Sequence, residues 1–195
     1  MWDQLRARAR DDDVAAVVGL ASKAEPRCAS TVVIAIDGPS GAGKTTLAKG
    51  VADGLTALGS VEVVHMDLLL PGWDGLAEAS GLLTTQVLEP LSHGRPAAYR
   101  LWSWVREEWH GSRDVTPSRF LVVEGCGSSV EPAGSYAAVR VFVEAGRDLR
   151  MERGIERDGE GYRPNWERWA AQESRLYTAD RTRERADLVV DTSSL

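Results

Sequence analysis

Residues 38–45 read Gly-Pro-Ser-Gly-Ala-Gly-Lys-Thr. Each residue type has a chemical reason to stand where it does. Glycines let backbone N–H groups converge on an anion without obstruction by Cβ. A helix starting just after them would turn its positive end toward the same anion. The Lys44 ammonium can then reach the outer phosphates of a nucleotide, and the Thr45 hydroxyl offers an oxygen to Mg²⁺. The segment fits G-x-x-x-x-G-K-[ST] at every fixed position. It lies between an apolar, β-branched run and a helical pattern, which is the context the motif requires. The expected phosphate-binding set is Gly38, Ser40, Gly41, Ala42, Gly43, Lys44, Thr45 and Thr46. The bland alternative is a glycine-rich turn with no ligand.

Two carboxylates stand where strands are expected to end: Asp67 after the run 61–66 and Glu124 after the run 120–123. In open parallel sheets, ligands bind beyond the C-terminal ends of strands. Both carboxylates therefore point to the crevice that holds the glycine-rich loop. A carboxylate there can hold Mg²⁺, directly or through water, or take a proton from a substrate hydroxyl; for either one, helix capping is the alternative. Arg150, Arg153 and Arg157 lie three and four apart and share a helical face. Such a face can close over a transferring phosphoryl group and offset its charge. Gly154, Gly159 and Gly161 would let the segment move, and Glu152, Glu156 and Asp158 interleave with the arginines. A solvated, salt-bridged helix is the competing reading.

The elements that must position these groups follow from hydrophobic periodicity. Val14, Val17, Val18 and Ala21 predict a helix over 11–23, and Leu47, Val51, Leu55 and Leu58 predict another closed by Gly59. Short apolar runs at 31–36, 61–66, 120–123, 139–143 and 188–190 predict strands. Helices are expected at 82–91, around Trp102, Val105 and Trp109, at 147–157 and at 165–178. Strands that alternate with helices and read as continuous apolar runs indicate a parallel sheet covered on both faces. The expected fold is therefore a three-layer α/β phosphate-loop NTPase domain with about five parallel strands, near the typical sheet size. The expected layout is an N-terminal helical extension over 1–30 and a core domain over 31–195. Within the core, 74–112 forms a helical insert at the acceptor side and 147–163 an arginine-rich lid.

The chain of 195 residues is of single-domain length. With 43% hydrophobic and 27% charged residues it is neither disordered nor fibrous, and its longest apolar runs fall short of a membrane span. A net charge of −6 argues against sequence-independent nucleic-acid binding. Cys28 and Cys126, the only cysteines, form neither a zinc knuckle nor a Cys-x-x-Cys pair and read as free thiols of a reducing compartment. Residues 1–10 carry no apolar leader region. A cytoplasmic location is expected, and a homodimer is compatible with the sequence. The one asparagine, Asn165, is followed by no lysine, so the guanine-reading Asn-Lys-x-Asp motif is absent. Of the seven tryptophans, Trp102, Trp104 and Trp109 cluster, as do Trp166 and Trp169, and packing is their expected role. Glu173 shares the face of Trp166 and Trp169 and should find an arginine. His65 is expected to be a hydrogen-bonded core histidine, and His93 and His110 loop residues.

Residues 31–58 resemble the opening of the uridine kinase-like group of phosphate-loop kinases, relatives of phosphoribulokinase and pantothenate kinase, and the resemblance extends to about residue 191. His65-Met66-Asp67 is similar to that group's strand-end aspartate, which implies that Asp67 is the general base toward a substrate hydroxyl. Val122-Val123-Glu124-Gly125 is similar to its strand-end Glu-Gly, which implies a Mg²⁺ role for Glu124 beside Thr45. Residues 150–158 resemble its arginine-rich lid, which implies catalytic roles for Arg153 and Arg157 alongside Lys44 and Asp67. The group's ribose-binding Tyr-Asp pair falls on Trp102-Ser103 in one register and on Tyr99-Arg100 in another. Neither register supplies the carboxylate, although Glu107 or Glu108 could do so from a following helical turn. The resemblance implies a kinase that uses ATP and Mg²⁺ and transfers the γ-phosphoryl group to a hydroxyl of a small metabolite. An ATP-binding switch and a pseudo-kinase with a degenerate acceptor pocket are the alternatives.

Overall fold

The computed structural model describes residues 8–194. The part of the N-terminal extension before residue 8, including Trp2, lies outside the described residues. Five parallel strands form the central sheet: β1 (Val32–Asp37), β2 (Val61–His65), β5 (Phe120–Glu124), β6 (Ala137–Glu144) and β7 (Leu188–Asp191). Their spatial order is β2-β5-β1-β6-β7, with every paired neighbour parallel. The central strand explains the two-sided burial. Val33 and Ala35 of β1 face one apolar layer, and Val32, Ile34 and Ile36 face the other, as period-two alternation requires.

On the second of these faces lie α1 (Asp11–Lys23) and α2 (Lys44–Leu55), which bury Val17, Ala21, Leu47, Val51 and Leu55. Asp11, Asp12 and Asp13 occupy the first turn of α1, where carboxylates oppose the helix dipole. On the opposite face a helical stretch runs through α3 (Ala79–Leu83), a π turn over Thr84–Leu88 and α4 (Glu89–Ser92). It buries Leu83, Val87, Leu88 and Leu91. The last two helices are α5 (Arg147–Asp158) and α6 (Arg163–Asp180), joined by a 3-10 turn at Glu160–Tyr162. Both helix predictions near the C-terminus hold with extended ends.

The second half of the insert is different. Trp102, Val105 and Trp109 are not helical; they belong to an antiparallel hairpin of β3 (Ala97–Ser103) and β4 (Glu108–Val115). The i, i+3, i+7 spacing of those three residues mimics a helix face by coincidence. The stronger signal is the alternation at 97–100, where Ala97 and Tyr99 are buried while Ala98 and Arg100 are exposed. Val105, at the hairpin tip, is 97% exposed. Trp102 pairs across the strands with Trp109, and Ser103 with Glu108. His110 is thus a strand residue, while His93 caps α4. No helix among the described residues is long and apolar enough to cross a membrane.

Candidate active site

β1 ends in the buried Asp37, and the chain then turns sharply into the loop. Gly38 has φ +133°, and a Cβ there would lie 2.0 Å from the carbonyl oxygen of Val143 on β6. Gly41 has φ +78°, and a Cβ there would lie 2.2 Å from the carbonyl oxygen of Arg150. Both positions therefore exclude a side chain for two reasons, backbone conformation and contact. The loop delivers the chain into α2 at Lys44, so Lys44, Thr45 and Thr46 form the first turn of a twelve-residue helix. That turn carries the N–H groups an anion would use.

The Lys44 ammonium is buried, donates to the Pro39 carbonyl at 2.9 Å and lies 3.5 Å from Cys126 Sγ. Burial works against the charged form, yet the pKa of Lys44 is raised on balance by Cys126, Glu173, Asp67 and Glu124. Cys126 is itself held as a thiol by burial, so the three carboxylates are what favour the ammonium. The Thr45 hydroxyl donates to Glu124 Oε2 at 3.2 Å. The other Glu124 oxygen lies 2.6 Å from His65 Nδ1, its register partner on β2. His65 is therefore the hydrogen-bonded core histidine that was expected, and its partner is the site carboxylate.

Asp67 sits just past β2 in a 3-10 turn at Met66–Leu68, half-buried. Burial and the neighbouring Glu124 raise its carboxyl above the ordinary aspartate range, with Arg157 and Lys44 pulling it back. Thr45, Glu124 and Asp67 thus lie at the C-terminal edge of three adjacent parallel strands. An oxygen set of one hydroxyl and one or two carboxylates suits Mg²⁺, which is otherwise held by substrate phosphates and waters. Among the described residues there is no cluster of three or more His, Cys, Asp or Glu that could form a complete metal cage.

The three arginines of α5 do different things. Arg157 pairs with Asp158 at 2.6 Å and interacts electrostatically with Asp67. Arg153 donates to the Thr192 hydroxyl and carbonyl, each at 3.0 Å, at the end of β7. Arg150 approaches Glu173 at 3.6 Å and donates to the Ser40 carbonyl at 3.1 Å. Only Arg157 is thus tied to the strand-end carboxylate, and the three guanidiniums do not act as one face. The arginine expected beside Glu173 is Arg150.

Trp73, Trp102 and Trp104 wall a cleft beside the end of β2. Trp73 packs against Trp104 at 5.0 Å, Tyr162 at 5.4 Å and Trp169 at 6.0 Å between ring centroids. The Trp104 indole donates to the Asp67 carbonyl at 2.8 Å and so fastens the hairpin to the β2 end. A cleft of about 290 Å³ opens beside it, walled by Trp73, Trp102 and Trp104 and rimmed by Asp74, Glu107 and Arg168. The Ser103 hydroxyl accepts the Arg106 N–H and serves the hairpin turn. A wider cleft of about 470 Å³ between α1 and β6 is lined mainly by small and apolar residues, and the loop and strand-end groups line neither cleft.

No protein-family model matches the chain, and no curated protein matches it in sequence. Solved structures do. A possible uridine kinase from Bacillus stearothermophilus superposes with a TM-score of 0.68 at 20% identity, over 92% of this chain and 98% of that one. A fructose transport system kinase candidate from Silicibacter sp. TM1040 gives 0.66 at 21% identity, over 91% and 98%. The chain has a uridine kinase-like fold. The match spans nearly the whole of both proteins.

One buried group carries no motif in the sequence. Asp37 is fully buried and accepts the N–H groups of Gly38, Gly127 and Ser129 at 2.7–2.8 Å, with the hydroxyls of Ser129 and Tyr177 at 2.9 Å. Its signal was its place, the last residue before the loop at a strand end. Asp37→Ala would leave three buried N–H groups unpaired, each costing about 1–3 kcal/mol. Urea unfolding should therefore show a loss of ~3 kcal/mol or more. A loss below ~1 kcal/mol, the value of one ordinary bond, would contradict this account of the loop's anchor.

Proposed function

We propose that this chain is an ATP- and Mg²⁺-dependent kinase that transfers the γ-phosphoryl group to a hydroxyl of a small metabolite. The observation that carries the reading is the meeting of Lys44, the Thr45–Glu124 pair and Asp67 at one sheet edge. The fold similarity to two solved proteins described as kinases supports it. In this reading Gly38, Ser40, Gly41, Ala42, Gly43 and Thr46 shape the phosphate seat, and Lys44 offsets phosphate charge. Thr45 and Glu124 would hold Mg²⁺, which when bound supplies charge neutralisation at the phosphates. Asp67 takes the acceptor's proton, and the upward shift that burial and Glu124 impose on its carboxyl strengthens it as a base. Arg157 reaches toward the transferring group from the lid, and Arg153 supports the lid at Thr192.

The acceptor fits the tryptophan cleft best. Its walls are indoles, and Trp102 keeps a buried indole N–H with no hydrogen-bond partner among the described residues. A planar molecule with a free hydroxyl suits such a site. Ser103, occupied in the turn, is no substitute for a carboxylate that grips a vicinal diol. Uridine and cytidine are therefore expected to be poor acceptors. A steady-state panel of nucleosides and other hydroxyl compounds tests this. A specificity constant for either nucleoside of ~10⁴ M⁻¹s⁻¹ or more, an ordinary enzyme value, would contradict the acceptor reading.

A further inference from the structure

Every polar group of Ser40 is held by a side chain of α5, α6 or the turn between them. Its N–H donates to Glu173 Oε1 of α6 at 2.6 Å. Its carbonyl accepts from Arg150 of α5 at 3.1 Å. Its hydroxyl accepts from the Tyr162 hydroxyl, on the turn between those helices, at 2.8 Å. The backbone of α5 also presses on the next loop residue, since the Arg150 carbonyl occupies the space a side chain at Gly41 would need. Three successive elements of the chain thus converge on one peptide of the phosphate loop.

Glu173 is the costly member. It is 2% exposed, and a carboxylate so placed is penalised unless it is paired and hydrogen-bonded. Here Oε1 also accepts the Trp169 indole at 2.8 Å and lies 3.3 Å from Cys126 Sγ, while Arg150 faces the other oxygen. An apolar residue could fill the same volume on α6 without that cost. What an apolar residue could not do is fix the Ser40 N–H and, at the same time, favour the charged form of Lys44.

We propose that Glu173, Arg150 and Tyr162 are positioning residues that clamp Ser40, so that the shape of the phosphate loop depends on α5 and α6 being docked. The nucleotide part of this inference rests on the kinase reading; the clamp itself does not. Loosening any jaw should let the loop leave its phosphate-binding form without disturbing the sheet.

Two variants test it, Glu173→Leu, which removes the acceptor of the Ser40 N–H at similar volume, and Tyr162→Phe, so that a folding failure in one leaves the other. The first measurement is amide hydrogen exchange in the nucleotide-free protein over residues 38–47. Exchange there should accelerate roughly tenfold or more in each variant, the effect of losing one strong hydrogen bond, while β1 and β5 stay protected. The second is the affinity for Mg-ATP by calorimetry, with adenosine as the phosphate-free control. Mg-ATP should bind roughly tenfold more weakly, and adenosine unchanged. Unchanged loop exchange in both variants overturns the clamp. Faster exchange with unchanged Mg-ATP affinity overturns the positioning role. A parent protein that protects the loop but takes up no Mg-ATP overturns the kinase reading and leaves the clamp standing.

Discussion

Lys44→Ala should lose phosphoryl transfer by about 10³-fold, the scale on which a single aimed charge acts in a water-poor site. Lys44 lies on the first turn of α2 with its ammonium folded onto the Pro39 carbonyl, among Glu173, Asp67 and Glu124. Its removal takes away the cation nearest the expected phosphates. It also leaves the three carboxylates less well offset, although Arg150 still faces Glu173 and Arg157 still faces Asp67. The nucleotide-free protein should therefore melt somewhat lower but remain folded, and its melting temperature should no longer rise with Mg-ATP. Thermal melts with and without Mg-ATP, beside turnover, check both halves. Undiminished turnover with an intact ATP-induced shift would remove Lys44 from the account.

Asp67→Asn should cost about 10²–10⁴-fold in turnover, the range of general-base catalysis, with Mg-ATP affinity kept. The asparagine preserves shape but takes no proton. The same change should stabilise the nucleotide-free fold. Burial and Glu124 raise the folded-state pKa of Asp67 above its unfolded value. Between those two values the folded state binds more protons than the unfolded one, so stability falls as pH rises through that window. At neutral pH the unfolded carboxyl is ionised while burial and Glu124 disfavour that form in the folded state, a cost that Asn removes. The variant should melt higher at pH 7, by about 2–4 °C for each kcal/mol relieved, and the difference should vanish below the unfolded pKa near ~3.9. In the parent, turnover should drop as pH falls through the raised pKa of Asp67, whereas the variant should lack that limb. Wild-type turnover in the variant across pH would make Asp67 a spacer.

The sheet and the loop were legible because their signals are local. Continuous apolar runs such as 120–123 can be only buried strands or short helix pieces, and the glycine-lysine spacing at 38–45 fixes a strand before it and a helix after it. Asp67 and Glu124 were legible by position, as polar residues that end such runs. The hairpin was not, because three large apolar residues at 102, 105 and 109 fit a helical template more loudly than the alternation at 97–100 fits a strand. Asp37 was hidden because its five donors come from the loop itself, from residues 127 and 129 and from Tyr177. The different fates of Arg150, Arg153 and Arg157 were equally hidden. Helical spacing places them near one another, but Glu173, Thr192 and Asp158 decide where each guanidinium goes.

The central claim is that the groups at this sheet edge move a phosphoryl group from ATP to a hydroxyl and not to water. ³¹P NMR of the protein with Mg-ATP and a mixed pool of hydroxyl compounds, including planar heterocyclic alcohols, tests it most directly. The account predicts a new phosphomonoester signal that grows mole for mole with ADP and is lost in Lys44→Ala. ADP that accumulates with inorganic phosphate alone, at a rate the acceptor pool does not change, would contradict it and favour an ATP-binding switch.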